Sequence, residues 1–233
     1  MSYLAYVERR GQLQTYFDRT AADAWARLTS TEPVSRIRAT VRAGRDTMRD
    51  TILGYLPADL AGTRLLDAGC GTCALSVVAA ERGADVVAID LSATLVALAQ
   101  ERLPSTLNAG RIDFKVGDMS DAALGSFDHV VAMDSLIHYN CEDVVEVLAG
   151  LAVRTSRSIV FTFAPRTPLL TVMHALGRAF PRADRAPAIE PVAESRLRKR
   201  IGDDPRFNGW QLGRTRLVTS GFYKSQALEL SRS

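Results

Sequence analysis

The stretch Leu65-Leu66-Asp67-Ala68-Gly69-Cys70-Gly71-Thr72 decides how this sequence folds. Arg64 to Asp67 reads as a short strand, and the glycines after it as a tight turn. Without Cβ atoms the turn can curl closely around a ligand. A helix is predicted from Cys73 to about Arg82, ended by Gly83 just beyond it. The next strand is Asp85 to Asp90, and its last acid stands 19 positions after Gly71. A carboxylate at that distance reaches the ribose hydroxyls of an adenosine ligand.

The same rhythm continues outward. Ser92 is suited to cap a helix running to Leu103, where Pro104 stops it. Ile112 to Val116 and Phe127 to Met133 read as strands, Cys141 to about Arg154 as a helix, and Ser158 to Phe163 as a fifth strand. Alternation of this kind predicts an α/β fold, a doubly wound Rossmann-like sheet with helices on both faces. After Ala164 the rhythm breaks at Pro165, Pro168, Pro181, Pro187 and Pro191. Helices are expected near Leu169 to Phe180 and from Val192 to Ile201. Trp210 to Val218 and Phe222 to Leu230 then read as a hairpin about Ser220-Gly221. That gives a seven-stranded sheet, mostly parallel, with one antiparallel edge-type strand.

Residues 3–56 read as two helices that a minimal doubly wound sheet does not need. Leu4, Val7, Leu13, Phe17, Ala21, Ala24, Trp25 and Leu28 recur at threes and fours, and Pro33 suits the first turn of a second helix ending at Leu56. The expected organisation is an N-terminal helical arm over 1–56 and a main domain over 57–233. An insertion over 165–205 is expected to cover the acceptor site. Whether the arm covers the site or only packs beside it stays open at this level.

Composition narrows the class. The 233 residues are 47% hydrophobic and 24% charged, with 29 Lys and Arg against 26 Asp and Glu, as in an ordinary globular protein. The arginines are dispersed, so no nucleic-acid partner is expected; the one dense cluster, Arg196, Arg198, Lys199 and Arg200, reads as a solvated helix face. No run of 18 apolar residues suits a membrane span, and the opening MSYLAYVERRGQ lacks a signal-peptide core. Three cysteines make no disulfide framework. A cytoplasmic protein with reduced thiols is expected.

The glycine turn alone would also serve a dinucleotide enzyme. Ala74 stands where the third glycine of G-x-G-x-x-G would be, a replacement that NAD sites tolerate. The sign of Asp67 is more telling. Beside a pyrophosphate its carboxylate would repel, whereas beside the amino group of a methionine moiety it is favourable. That favours S-adenosylmethionine. Cys70 and Cys73 also form a C-x-x-C, which at a helix N-terminus can serve disulfide exchange; a zinc site would need more Cys or His than Cys141 and three scattered histidines offer.

Asp67-Ala68-Gly69-Cys70-Gly71 resembles the first motif of class I methyltransferases, with Cys73 replacing a glycine common in related motifs. In similar enzymes the residues after the third strand, here Asp118 and Met119, meet the adenine. Asp90 with Leu91 takes the ribose, and Met133 ends the fourth strand where the transferable methyl sits. Tyr16-Phe17-Asp18 with Trp25, Met133 to Tyr139, Phe161 to Leu170 and Ser220-Gly221-Phe222-Tyr223 together resemble the magnesium-protoporphyrin IX O-methyltransferase family. The resemblance runs from about Tyr16 to Leu230, and the chain closely resembles the form of bacteriochlorophyll-making bacteria.

That resemblance implies esterification of the C13 propionate of magnesium-protoporphyrin IX, with S-adenosyl-L-homocysteine as the other product. It also implies a Tyr and a His at the site, here Tyr16 and His138. His138 is expected to orient the propionate or meet the porphyrin magnesium, and Tyr16 to close over the site. Arg166, fixed between prolines, is a candidate propionate partner. The segment Pro165 to Pro191 is suited to wall a large flat ligand or to touch a membrane surface peripherally. The resemblance further suggests contact with the magnesium chelatase large subunit. Two rival functions stand: methylation of another small acid, phenol or amine, and a non-catalytic module binding S-adenosylmethionine or porphyrin. His129 and His174 find no partner in the sequence.

Overall fold

β1 (Arg64–Ala68) lies at the centre of a sheet whose strands run in the order β3-β2-β1-β4-β5-β7-β6. It pairs in parallel with β2 (Asp85–Asp90) on one side and β4 (Phe127–Ala132) on the other. β3 (Arg111–Val116) and β5 (Thr155–Phe163) extend the parallel part outward. The chain order reverses between β1 and β4, and ligands of open α/β sheets bind at such a switch point, beyond the carboxyl ends of the strands. The computed structural model describes residues 3–19, 35–104, 106–107, 109–166 and 189–232, with residues 3–8 and 19 described by their backbone only.

The inner strands β1, β2, β4 and β5 carry apolar runs because both faces are covered. Leu65 and Leu66 are fully buried and point to opposite faces. Leu66 joins Val130, Phe161 and Leu228 under α5 (Cys141–Ala152) and α6 (Glu194–Asp203). Leu65 joins Val131, Val160 and Ala227 with α2 (Arg36–Tyr55) and α3 (Ala74–Glu81). Each fully buried leucine of this kind contributes roughly 1.5–3 kcal/mol.

Local chemistry sets the element ends. The Ser92 hydroxyl accepts the Leu95 amide and starts α4 (Ala93–Glu101). Asn140 Oδ1 accepts the Glu142 and Asp143 amides and starts α5. Gly83, at φ +95°, ends α3 in the left-handed position expected of it. Cys73 starts α3 in that same conformation, at φ +61°, which is why related motifs prefer glycine there.

Several elements differ from the sequence reading. The antiparallel member of the sheet is β7 (Tyr223–Arg232), one strand in from the edge, between β5 and the edge strand β6 (Trp210–Ser220). Reversing at the hairpin lets β6 cover an edge that β7 would otherwise expose. The second arm helix starts at Arg36 after Ser35, whose Oγ accepts the Arg38 amide, rather than at Pro33. α1 (Tyr3–Arg19) is the described part of the first arm helix. Ala21, Ala24, Trp25 and Leu28, the helix expected over Leu169 to Phe180, and His174 lie outside the described residues. The cluster at Arg196 to Arg200 is a paired surface: Arg196 and Arg200 meet Glu142, Arg198 meets Glu194 and Lys199 meets Asp203. Among the described residues no helix is long and apolar enough to cross a membrane.

Candidate active site

A cavity of about 480 Å³ opens at the switch point. It is walled by the turn after β1, the ends of β2, β3 and β4, and the arm helices α1 and α2. Asp67, Gly69, Cys70, Gly71, Asp90, Leu91, Met119, Met133 and His138, all singled out from the sequence, line it together. Their strands are unrelated in sequence; the parallel register brings their carboxyl ends level.

At one end lie two acids. Asp67 is buried and takes a hydrogen bond of 2.6 Å from the Ser76 hydroxyl. Burial pushes its carboxyl up to about 6, a shift the Ser76 bond opposes and the nearby Asp90 charge reinforces. Asp90 accepts the Gly71 amide at 2.8 Å and the Ser92 amide at 2.9 Å, which ties the glycine turn to β2. Its carboxyl is also raised, chiefly by burial. Two carboxylates held dry and short of cations suit a ligand bringing positive charge and hydroxyl donors. A Cβ at Gly71 would meet nothing within 4 Å, so the turn faces open space there.

Cys70 and Cys73 are free thiols. A thiol hydrogen bond with Cys73, burial, and the Asp67 and Asp90 charges drive the Cys70 thiol well above its ordinary range. Disulfide exchange needs a thiolate, so the environment works against the redox reading of this C-x-x-C.

Met119 in the loop after β3, with Leu91 after β2 and Leu95 on α4, forms an apolar wall. Arg154 donates to the Met119 and Asp121 carbonyls and fixes that loop. Asp118 is turned away from the cavity lining: Arg10 of α1 donates to it at 2.8 Å, and Ser120 caps its other oxygen. Arg10 and Asp118 thus latch the arm to the loop after β3. A second latch joins Asp18 to the Ser92 hydroxyl at 2.6 Å. Between the latches Leu13 and Phe17 enter the cavity wall. Tyr16 stands half-buried behind, edge-on to Phe17 at 5.3 Å, and is not itself in the wall. Helical geometry allows one of two neighbouring residues to face inward, and Phe17 takes that place.

The other end is built after β4. Asp134 has φ +56° and its carboxylate is saturated, by Arg45 at 2.7 Å, Tyr223 at 3.0 Å and Ser225 at 3.0 Å. Burial and the neighbouring Asp134 charge hold the Tyr223 phenol far above its usual value, so it remains a donor. His138 ends the 3₁₀ turn Leu136–His138, is buried, and meets Phe17 edge-on at 6.1 Å.

Sequence reasoning missed the arginines of α2. Arg42, Arg45 and Arg49 all line the cavity, and their spacing of three and four puts them on one helix face. That periodicity was available, but not which way the face points. Arg166, by contrast, is exposed and outside the cavity lining. Its backbone is occupied in pairing with Val192, which turns the chain along the sheet end. His129 sits at the far side of β4, buried, with Ser158 as its partner at 2.7 Å.

The donor set fits S-adenosylmethionine: acids for the amino end and the ribose, an open glycine turn, and Leu91 with Met119 for a flat ring. Comparison with known proteins agrees. A family model described as "Magnesium-protoporphyrin IX methyltransferase C-terminus" matches residues 132–232, and a general methyltransferase-domain model matches residues 65–155. The magnesium-protoporphyrin O-methyltransferase of Rhodobacter capsulatus is 50% identical over 225 residues, covering 96% of this chain and 97% of its own. The crystal structure of magnesium protoporphyrin IX methyltransferase from Synechocystis PCC 6803 with bound SAH superposes with a TM-score of 0.82 at 32% identity, over 96% of this chain and 99% of that one. The same enzyme with bound SAM gives 0.78 at 28% identity, over 97% of each. A likeness that spans the glycine turn, the β4 end and the terminal hairpin alike is that of relatives, and the chain belongs to the magnesium-protoporphyrin IX O-methyltransferase family.

Proposed function

We infer that this chain methylates the C13 propionate of magnesium-protoporphyrin IX, giving its monomethyl ester in bacteriochlorophyll biosynthesis. The observation that carries this reading is one cavity with a nucleoside-type end at Asp67, Gly71 and Asp90, and an aromatic and cationic end at Phe17, His138 and the α2 arginines. S-adenosylmethionine supplies an electrophilic methyl group on a sulfonium. A propionate has an unperturbed pKa of roughly 4 and reaches the site already ionised. No strong base is needed to make the nucleophile.

The protein's work is then alignment and exclusion of water, a contribution of up to roughly 7–11 kcal/mol in well-ordered systems. Asp67 and Asp90 hold the amino and ribose ends, and the glycine turn lets them approach. His138, fixed by Phe17, orients the propionate or meets the porphyrin magnesium. Tyr16 supports Phe17 from behind. The α2 arginines draw in propionate charge; residues 167–188 of the insertion expected over 165–205 lie outside the described residues.

A peripheral membrane contact and hand-over from the magnesium chelatase large subunit fit a poorly soluble acceptor. The membrane contact is supported by exposed Ile37, Leu217 and Phe222 among exposed Arg36, Arg38 and Arg216, on elements joined where Ser220 donates to the Thr40 carbonyl. Loss of vesicle flotation in Phe222→Ser would support it, and equal flotation would end it.

Incubation with S-adenosylmethionine and either magnesium-protoporphyrin IX or its dimethyl ester tests the reaction. Addition of one methyl group to the free acid only is expected. Methylation of the dimethyl ester, or of neither, contradicts carboxylate transfer.

A further inference from the structure

Ser135 stands at the N-cap of the 3₁₀ turn Leu136–His138, where a serine hydroxyl ordinarily accepts a backbone amide. Here it makes no capping bond. Its Oγ is buried and has no hydrogen-bond partner, although the residue lines the cavity. A buried hydroxyl left unpaired counts against the folded state, so its presence points to a partner that arrives with a ligand.

Its surroundings say which ligand. Residues three apart eclipse on a 3₁₀ turn, so Ser135 and His138 present to the same side, and both reach the cavity wall. Ser135 also presses on the glycine turn: a Cβ at Gly69 would overlap the Ser135 Cβ. The hydroxyl thus lies between the cofactor turn and the acceptor end. Asp134 beside it is already saturated by Arg45, Tyr223 and Ser225.

We propose that Ser135, by rotation of its covered hydroxyl about the Cα–Cβ bond toward the cavity it lines, orients the acceptor by donating a hydrogen bond to one oxygen of the carboxylate being methylated, while His138 meets the group from the adjacent position. The second oxygen keeps a free lone pair for the methyl carbon. In the transfer the O–C bond forms as the C–S bond breaks, and the electron pair of that bond goes to sulfur. The serine proton stays on serine. This inference rests on the carboxylate reading above.

Ser135→Ala removes only Oγ and keeps the Cβ that packs on Gly69. The expected result is a Tm equal to or above wild type, SAH affinity unchanged within about twofold, and turnover on magnesium-protoporphyrin IX reduced about 10- to 100-fold, the range of one hydrogen bond to a charged group. Unchanged turnover overturns the inference. So does a parallel loss in SAH affinity, which would place the hydroxyl on the cofactor, or a fall in Tm alongside turnover, which would make it structural. Wild-type protein that forms no ester removes the carboxylate reading and this inference together; wild type that esterifies beside an equally fast variant removes this inference alone.

Discussion

Arg45 on α2 and Asp134 at the end of β4 meet at 2.7 Å, with side chains 22% and 6% exposed, and so pin the N-terminal arm to the carboxyl edge of the sheet. The pair also sets the cavity wall between them. Breaking a buried ion pair by removing one partner costs about 3–5 kcal/mol. Asp134 keeps Tyr223 and Ser225 as donors, so Arg45→Met is expected to cost less, about 2–3 kcal/mol. Chemical denaturation would read it, and Asp134→Asn should lose a comparable amount because it takes this carboxylate from the Arg45 guanidinium.

Asp67 gives stability an inverted pH dependence. Burial raises its folded value to about 6 from 3.8. Between those values the folded chain binds more protons than the unfolded one, so this contribution is full below about pH 4 and is lost as pH rises through about 6. The shift corresponds to up to about 3 kcal/mol. Asp67→Asn should therefore stabilise the cofactor-free protein at pH 8 and leave it unchanged near pH 4, in a denaturation series across that range. Cofactor affinity should follow the opposite sense, weakening below pH about 6, because the ionised carboxylate attracts the cationic amino end.

Gly69 adopts φ +85°, and any Cβ there would overlap Ser135. Gly69→Ala combines a left-handed strain of about 1–2 kcal/mol with that overlap. Gly71→Ala, at φ +54° with open space around it, carries the strain alone. Calorimetric titration with SAH should show at least a tenfold loss for Gly69→Ala. Its thermal stability should fall further than that of Gly71→Ala.

Phe17 rather than Tyr16 is in the cavity wall, packed on His138. His138→Ala is expected to lower turnover far more than SAH affinity, and Phe17→Ala to lower turnover by releasing the imidazole. Tyr16→Phe should act weakly, since it keeps the edge contact with Phe17. Steady-state kinetics beside SAH titrations separate these outcomes.

Asp18 and Arg10 latch α1 across the cofactor end, at Ser92 and Asp118. The Arg10–Asp118 pair is part-exposed and worth about 0–1 kcal/mol, so opening of α1 is governed mainly by re-exposing Leu13 and Phe17. SAH is expected to protect residues 3–19 from limited proteolysis, and Asp18→Ala to weaken that protection. An unchanged cleavage pattern would count against an opening arm.

The central sheet was legible because its signals are local: the apolar runs around Leu66, Val87 and Val130, the Ser92 cap and the terminal glycine at Gly83. The cofactor end was legible for the same reason, since Asp67, Gly69, Gly71 and Asp90 sit at fixed offsets from strand ends. The acceptor end was not. It depends on which face of α1 and α2 turns inward, and that follows from long-range pairs such as Arg45 with Asp134 and Arg10 with Asp118.

The most direct measurement follows a labelled methyl group. Purified protein is incubated with methyl-labelled S-adenosylmethionine and, separately, magnesium-protoporphyrin IX, metal-free protoporphyrin IX and a small carboxylic acid. Label on the magnesium porphyrin, released by mild base as an ester must be, is the expected result. Label on the small acid alone, or base-stable label on any acceptor, would contradict it.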